Sequence, residues 1–501
     1  MDVITNLYMG FGMALQPANL LSCLIGVVLG TLVGILPGLG PAATLAMLLP
    51  LTFGMSATSA MIMMCGVFYG AKYGGAITSV LVNLPGESSS VMTCLDGYQM
   101  AKTGKAGPAL GMAAIASFFA GTLGVVGLML LAPPLAEVAI AFGPPEYFSL
   151  IALGMTMVIF LAGKSILKAL IMGLFGLLLA TVGADEISGM DRFTFGALEL
   201  MSGIDFVVAA MGLFAIGEIL LNLEENLRAE VFPVPSKLRD LLPTAQDLRD
   251  CMPDLIRSTI MGFLIGVLPG GNPTIATFMA YGTSKALAKD PESFGKGTIR
   301  GVAAPESADN AASSGGLVPL LTLGIPGTGS AAMMMAALIM AGLRPGPLML
   351  KEQPEFFWTV VASMYVGNVI LLILNLPLVP VFANLLKVPY YILYPVILSI
   401  CSVGVYSLSN SLFEVEMMWL FGIIGYFAKK FDFPAAPTVL ALVLAGTFER
   451  SMRQSLLISN GSPMIFFERP MSAVLLSVAI LVLAVPIVRA FLGSRNETQK
   501  A

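Results

Sequence analysis

Four Pro-Gly pairs stand inside apolar sequence: Pro37-Gly38, Pro85-Gly86, Pro269-Gly270 and Pro326-Gly327. Proline lacks a backbone N–H and its ring clashes with the preceding turn. Glycine then lets the chain turn with positive φ at little steric cost. Such a pair between apolar runs ends one half-helix and lets another begin. At membrane depth, open backbone survives only where protein or a water-filled cavity covers it, so the breaks are expected to converge on a polar site. The residues after each break suit an anion. Ser88, Ser89 and Ser90 come after Pro85-Gly86, Thr328 and Ser330 after Pro326-Gly327, and Gly40, Asn272 and Thr274 after the other two. At a helix N-terminus, hydroxyls and free N–H groups sit beside the positive end of the dipole. With Lys72, the expected ligand-contacting set is Gly38, Gly40, Pro85, Gly86, Ser88, Ser89, Ser90, Asn272, Thr274, Pro326, Gly327, Thr328 and Ser330. The plainer alternative makes each pair a loop between full spans and the serines simple N-caps.

Carbonyl oxygens just before each break suit a cation. Asn83 adds an amide oxygen there; its counterpart Gly324 does not. The expected cation-binding set is Asn83, Glu87, Glu306, Asp309 and Asn310. Lys72 lies just before the first tip. A lysine at the bilayer centre costs roughly 2.5–3.5 kcal/mol, so it needs a partner, an anionic ligand or Glu87, unless it snorkels from a short interfacial loop. Glu306, Asp309 and Asn310 enter the second tip and could hold a cation, a proton or Lys72, or cap a helix at the surface. Glu218, Glu414 and Glu416 read as interfacial, and Met333 to Met335 as packing or lipid-facing. No structural metal site is expected, because the five cysteines are scattered without metal-ligand spacing.

The elements that must position these groups are membrane helices. The chain has 501 residues, 57% hydrophobic and 11% charged, with a mean hydropathy of +0.88. That charged share is less than half of the ~25% usual in soluble domains. Apolar runs near bilayer-spanning length recur at 19–36, 110–131, 147–161, 166–182, 207–221, 357–373, 390–405 and 471–491, and they do not alternate as barrel strands would. The fold expected is an all-α polytopic membrane protein of about 10–12 helices, some broken or re-entrant. Histidine is absent, which removes the commonest general base, proton shuttle and metal ligand. Neither a phosphate-binding Gly-rich loop nor a Gly-x-Ser-x-Gly motif is present, so an enzyme is not expected. With a net charge of −4 and no basic cluster, nucleic acid is not an expected partner.

A polar stretch, 222–254, divides the chain into an expected first repeat (1–221) and second repeat (255–501), and reads as an exposed linker. The landmarks on its two sides correspond. Gly34-Ile-Leu-Pro-Gly-Leu-Gly-Pro41 answers Gly266-Val-Leu-Pro-Gly-Gly-Asn-Pro273, and Gly107-Pro108 answers Gly346-Pro347. Gly75 and Gly316, like Pro85 and Pro326, are 241 positions apart. Matched halves with Pro/Gly-interrupted apolar segments are the pattern of secondary transporters built from repeats, here expected to be inverted. A channel would instead need a continuous polar pore.

In these motifs, together with Tyr73-Gly-Gly75, Gly301-Val-Ala-Ala-Pro-Glu306, Asn310-Ala-Ala312 and Gly324-Ile-Pro-Gly327, the chain resembles the large permease subunit of tripartite tricarboxylate transporters, the TctA type. The resemblance implies uptake of a carboxylate across the bacterial inner membrane, driven by a sodium or proton gradient, with no other cofactor. It implies two protein partners, a small membrane subunit of about four helices and a periplasmic solute-binding protein. A stand-alone sodium–solute symporter is the alternative.

Overall fold

The computed structural model describes all residues except 1–2, 37–38, 162–164, 186–187, 226–231, 233, 236, 386–389 and 499–501. The first half runs α1 (Val3–Ala14), α2 (Pro17–Gly34), α3 (Pro41–Leu48), α4 (Ala57–Val82), α5 (Val91–Lys102), α6 (Ala106–Ile140), α7 (Pro144–Leu161) and α8 (Ile166–Leu179). A minimal hairpin pairs Gly183–Ala184 antiparallel with Asp191–Arg192. Then α9 (Phe206–Ala210), a π-helical turn (Met211–Ile216) and α10 (Gly217–Glu225) follow without interruption. Beyond α11 (Leu238–Leu241) come α12 (Ala245–Val267), α13 (Pro273–Ala286), α14 (Arg300–Leu323), α15 (Gly329–Met340), α16 (Met349–Glu352) and α17 (Pro354–Asn375). The chain closes with α18 (Val379–Leu385), α19 (Tyr390–Ser409), α20 (Leu412–Lys430), α21 (Ala436–Ile458), α22 (Ile465–Glu468) and α23 (Pro470–Thr498). Four described segments are long and apolar enough to cross a membrane: Pro17–Gly34, Ala106–Ile140, Phe206–Glu224 and Pro354–Asn375. The architecture is that of an all-α polytopic membrane protein.

Two long helices lie at the centre and carry too many small and polar residues to register as apolar runs. At 1.5 Å per residue, α4 with its 26 residues is about 39 Å long and α14 with its 24 is about 36 Å. Every residue of α4 from Ser59 to Val82 is buried. It faces protein rather than lipid, so nothing in its environment requires a hydrophobic stripe. Its partner α2 sits backbone against backbone: Gly26, Gly30 and Gly34 rest on Met63, Val67 and Ala71, and Gly66, Gly70 and Gly74 of α4 return the contact. In the second half Gly262 and Gly266 of α12 rest on Ala308 and Ala312 of α14 in the same way. Val67 and Ala308, like Ala71 and Ala312, are again 241 positions apart. Small residues that allow such approach are the usual solution to helix packing in lipid.

Both central helices end on a left-handed residue, Asn83 (φ 60°) and Gly324 (φ 69°). Glycine and asparagine are the residues that tolerate that conformation. The polar stretch is less of a linker than its composition suggests. Thr244 and Asp247 form a capping box that starts α12 at Ala245, so Pro253 lies inside a helix. The backbone of Asp240 and Leu241 packs on Gly107 and Gly111 of α6. Of the expected breaks, Pro37 and Gly38 lie outside the described residues.

The seam can be tested at Gly70, where an added Cβ would meet the Val27 carbonyl oxygen at 2.6 Å. Gly70→Ala is expected to lower stability by roughly 1–3 kcal/mol, the usual cost of overpacking. Gly282→Ala, with nothing within 4 Å, is expected to be neutral or slightly stabilising. Thermal unfolding of the two variants in detergent checks the difference.

Candidate functional site

Four short helices or turns begin at one cavity of about 510 Å³. Gly40 and Pro41 open α3, and Ser88 and Ser89 form the 3-10 turn leading into α5. Asn272, Pro273 and Thr274 open α13, and Thr328, Gly329 and Ser330 open α15; all of these residues line the cavity. Helix N-termini turned to one space favour an anion there through backbone N–H groups and dipole ends. Two of the polar residues are occupied as caps: Asn272 Oδ1 accepts from Thr274 N at 2.9 Å and Thr328 Oγ1 from Ala331 N at 3.1 Å. Ser88 Oγ and Thr274 Oγ1 hydrogen-bond at 2.9 Å and so join the first-half tip to the second-half break.

Lys72 also lines the cavity and is only 3% exposed. It does not snorkel. Its Nζ is 2.8 Å from Glu87 on the tip and 2.7 Å from Asp309 on α14, and 3.5 Å from Ser89 Oγ. The Phe68 ring lies beneath it, 5.8 Å from the ammonium to the centroid. Two contacts set the sense of the crossing between α4 and α14: Tyr69 meets Ser314 and Lys72 meets Asp309. Residue numbers rise on one helix as they fall on the other, so the two run antiparallel where they meet. Glu306 lies behind the cavity, where its carboxylate accepts from Thr93 Oγ1 at 2.6 Å and Ser117 Oγ at 3.1 Å.

Comparison with known proteins places this arrangement. The profile of the tripartite tricarboxylate transporter TctA family matches residues 20–440. The chain belongs to the TctA family. It is 46% identical over 497 residues, 99% of each chain, to a protein described as an uncharacterized 52.8 kDa protein in the TAR-I ttuC' 3'region of Agrobacterium vitis. It is also 39% identical over 236 residues, 47% of this chain and 98% of the relative, to an uncharacterized protein in the TAR-II ttuC' 3'region of the same organism. No solved structure matches the chain.

In this TctA-family chain the cavity gathers Gly40, Lys72, Pro85, Gly86, Ser88, Ser89, Asn272, Thr274, Gly327, Thr328 and Ser330 of the expected ligand-contacting set, together with Glu87. Gly38 lies outside the described residues. Ser90 is turned to the backbone instead: its hydroxyl accepts from Glu87 N at 3.2 Å and donates to Glu87 O at 2.9 Å. Pro326 is buried beside the cavity and is not in its lining. Asp309, Glu306 and Asn310 stand on one face of α14, Asp309 against Lys72 and the other two deeper. Asn83 is exposed and forms the left-handed end of α4.

Sequence reasoning placed neither of two charged lining residues at the site. Glu218, read as interfacial, and Lys429 of α20 form an ion pair on the cavity wall. Lys429 sits at the end of an apolar helix beside Lys430, where a basic pair reads as a helix terminus; only the tertiary fold turns it inward. Phe214 of the π-helical turn also lines the cavity, and its turn leaves no periodicity signal.

The backbone duty of Asn83 is testable. Asn83→Gly is expected to leave both stability and ion affinity unchanged, whereas Asn83→Ala is expected to cost about 1–2 kcal/mol, the penalty of a left-handed residue with a plain Cβ. Unfolding midpoints together with the cation dependence of transport decide this; a cation-affinity loss in Asn83→Gly would make Asn83 a ligand as well.

Proposed function

We propose that this chain is the large permease subunit of a tripartite system and carries a tricarboxylate or related carboxylate across the bacterial inner membrane, driven by an ion gradient. Its partners are a small membrane subunit of about four helices and a periplasmic solute-binding protein, and the coupling ion is sodium or a proton. Family membership supports the transporter class. The observation that carries the substrate class is the convergence of four helix or turn starts around Lys72 in one cavity, a setting in which carboxylate oxygens meet N–H groups, hydroxyls and the Lys72 ammonium.

Coupling follows from charge. Lys72 is the one positive charge among Glu87, Asp309 and Glu306. A carboxylate arriving there would add negative charge to a cluster already short of cations, and unpaired buried charge is costly. Cations that enter with the substrate relieve both problems. The recurrent seams and the antiparallel crossing of α4 and α14 support inverted repeats: exchange of the halves about an axis in the membrane plane reverses helix direction, while an axis along the membrane normal would keep it. Rocking of one half against the other around the cavity would then alternate its access.

The direct experiment is uptake of a labelled carboxylate panel into proteoliposomes containing the chain and its partner subunits, with binding protein supplied outside. Saturable uptake that needs a sodium or proton gradient is the expected result; no uptake of any carboxylate under either gradient sinks the proposal. Ser89→Ala and Ser330→Ala are each expected to weaken apparent substrate affinity roughly tenfold, about 1.5 kcal/mol for a hydrogen bond to a charged group. Unchanged affinity in both would move the substrate away from the tips.

A further inference from the structure

Tyr69 and Tyr73 stand one turn apart on α4. The Tyr69 hydroxyl and Ser314 Oγ hydrogen-bond at 2.8 Å. At the 241-residue offset Tyr69 corresponds to Asn310 and Tyr73 to Ser314. Tyr73 lies one turn after Tyr69 on α4 and Asn310 one turn before Ser314 on α14, so at the antiparallel crossing the two come from facing turns. There the chemistry differs. The Tyr73 hydroxyl and Asn310 Oδ1 are both buried and, among the described residues, neither has a hydrogen-bond partner. Asn310 is 0% exposed and Tyr73 is 3% exposed, so bulk water does not satisfy them. The Asn310 amide is held by its nitrogen, which donates to the Glu306 carbonyl at 3.1 Å, leaving its oxygen as the open end. Glu306 is one turn earlier on the same face of α14. Its carboxylate has two hydroxyl donors, Thr93 and Ser117, and no ion pair among the described residues.

We infer that the Glu306 carboxylate, Asn310 Oδ1 and the Tyr73 hydroxyl form the binding site of a monovalent metal cation of the sodium class, set behind the anion cavity. The ligands are all oxygen, which suits a hard cation. A single carboxylate balances one positive charge and is too few for a typical calcium cage. A proton on Glu306 would neutralise the charge yet leave Asn310 Oδ1 and the tyrosine oxygen unpaired, whereas a metal ion takes up both. The site rests on the ion-coupled reading above only for the ion's role in transport; its existence is a separate claim.

The test is equilibrium binding of radiolabelled sodium to the purified full-length chain, with potassium and choline chloride as comparison salts, and no carboxylate present. Saturable sodium binding with a sodium-specific rise in unfolding temperature is expected. Tyr73→Phe, which removes one oxygen, is expected to weaken sodium binding about tenfold, and Glu306→Gln to abolish it. Tyr69→Phe breaks the satisfied partner contact and is expected to lower the unfolding temperature without changing sodium affinity. Asn310→Ser, which shortens the side chain and withdraws the amide oxygen, is expected to weaken binding as Tyr73→Phe does. Absence of sodium binding in the parent chain, or equal affinity in Tyr73→Phe and Tyr69→Phe, overturns the site even if uptake is sodium-driven. Sodium binding with these losses upholds it even if uptake proves proton-driven, which would overturn only the role of sodium in coupling.

Discussion

A buried ammonium group holds only where counter-charge is within reach, and Lys72 meets that demand with one carboxylate from each half of the chain. Glu87 comes from the tip after α4 and Asp309 from the middle of α14. To place Lys72 there, α4 must be covered along its length, and it is. Covering a helix on all sides brings neighbours close, which the glycine seam with α2 permits at backbone distance. The ion pair, the seam and the burial of α4 are therefore one requirement seen at three scales. Loss of the charge would leave two carboxylates facing each other across the join between the halves.

The same geometry separates two kinds of electrostatics. At the front, helix N-termini and hydroxyls face the cavity and favour an anion without contributing formal charge. At the back, Asp309 and Glu306 lie on one helix face with Lys72 as their nearest cation. Arginine, the usual carboxylate binder, is absent from the cavity lining among the described residues. A site built from dipoles in front and carboxylates behind can receive an anion without gripping it as a bidentate guanidinium would, which suits a protein that must also let its cargo go.

Much of this was legible in sequence, and the parts that were not have physical reasons. The Pro-Gly breaks announce themselves because no continuous helix accommodates them, and the residues after them do line the cavity at Ser88, Ser89, Thr274 and Ser330. The apolar runs correspond to α2, α6, α7, α8, the continuous α9–α10 segment, α17, α19 and α23. By contrast α4 and α14 escape a hydropathy reading because helices surrounded by protein need small residues more than greasy ones. The contrast between Asn83 and Gly324 has a conformational side that composition does not display: both occupy the same left-handed turn. Thr244 hides a helix start inside a charged stretch, since its capping box is local while the composition is not. The pair Glu218–Lys429 joins residues more than two hundred positions apart, and no periodicity in either helix points to the other.

Where the halves correspond and where they differ bears on how many sites the chain can hold. Seams, left-handed ends and helix starts recur, so the frame is common to both halves. The charges do not recur. At the 241-residue offset Lys72 aligns with Ser313, Glu87 with Thr328, Asp309 with Phe68 and Glu306 with Cys65. Each charged residue thus faces an uncharged one in the other copy. A doubled set would bring two ammonium groups and six carboxylates into the same crossing, where like charges repel strongly at low dielectric. A shared frame with one copy of each charge instead yields a single composite cluster across the join, with the tip of the first half and the helix of the second contributing different parts. Binding one substrate between the halves then requires both, and any motion that separates them must also break or exchange the partners of Lys72.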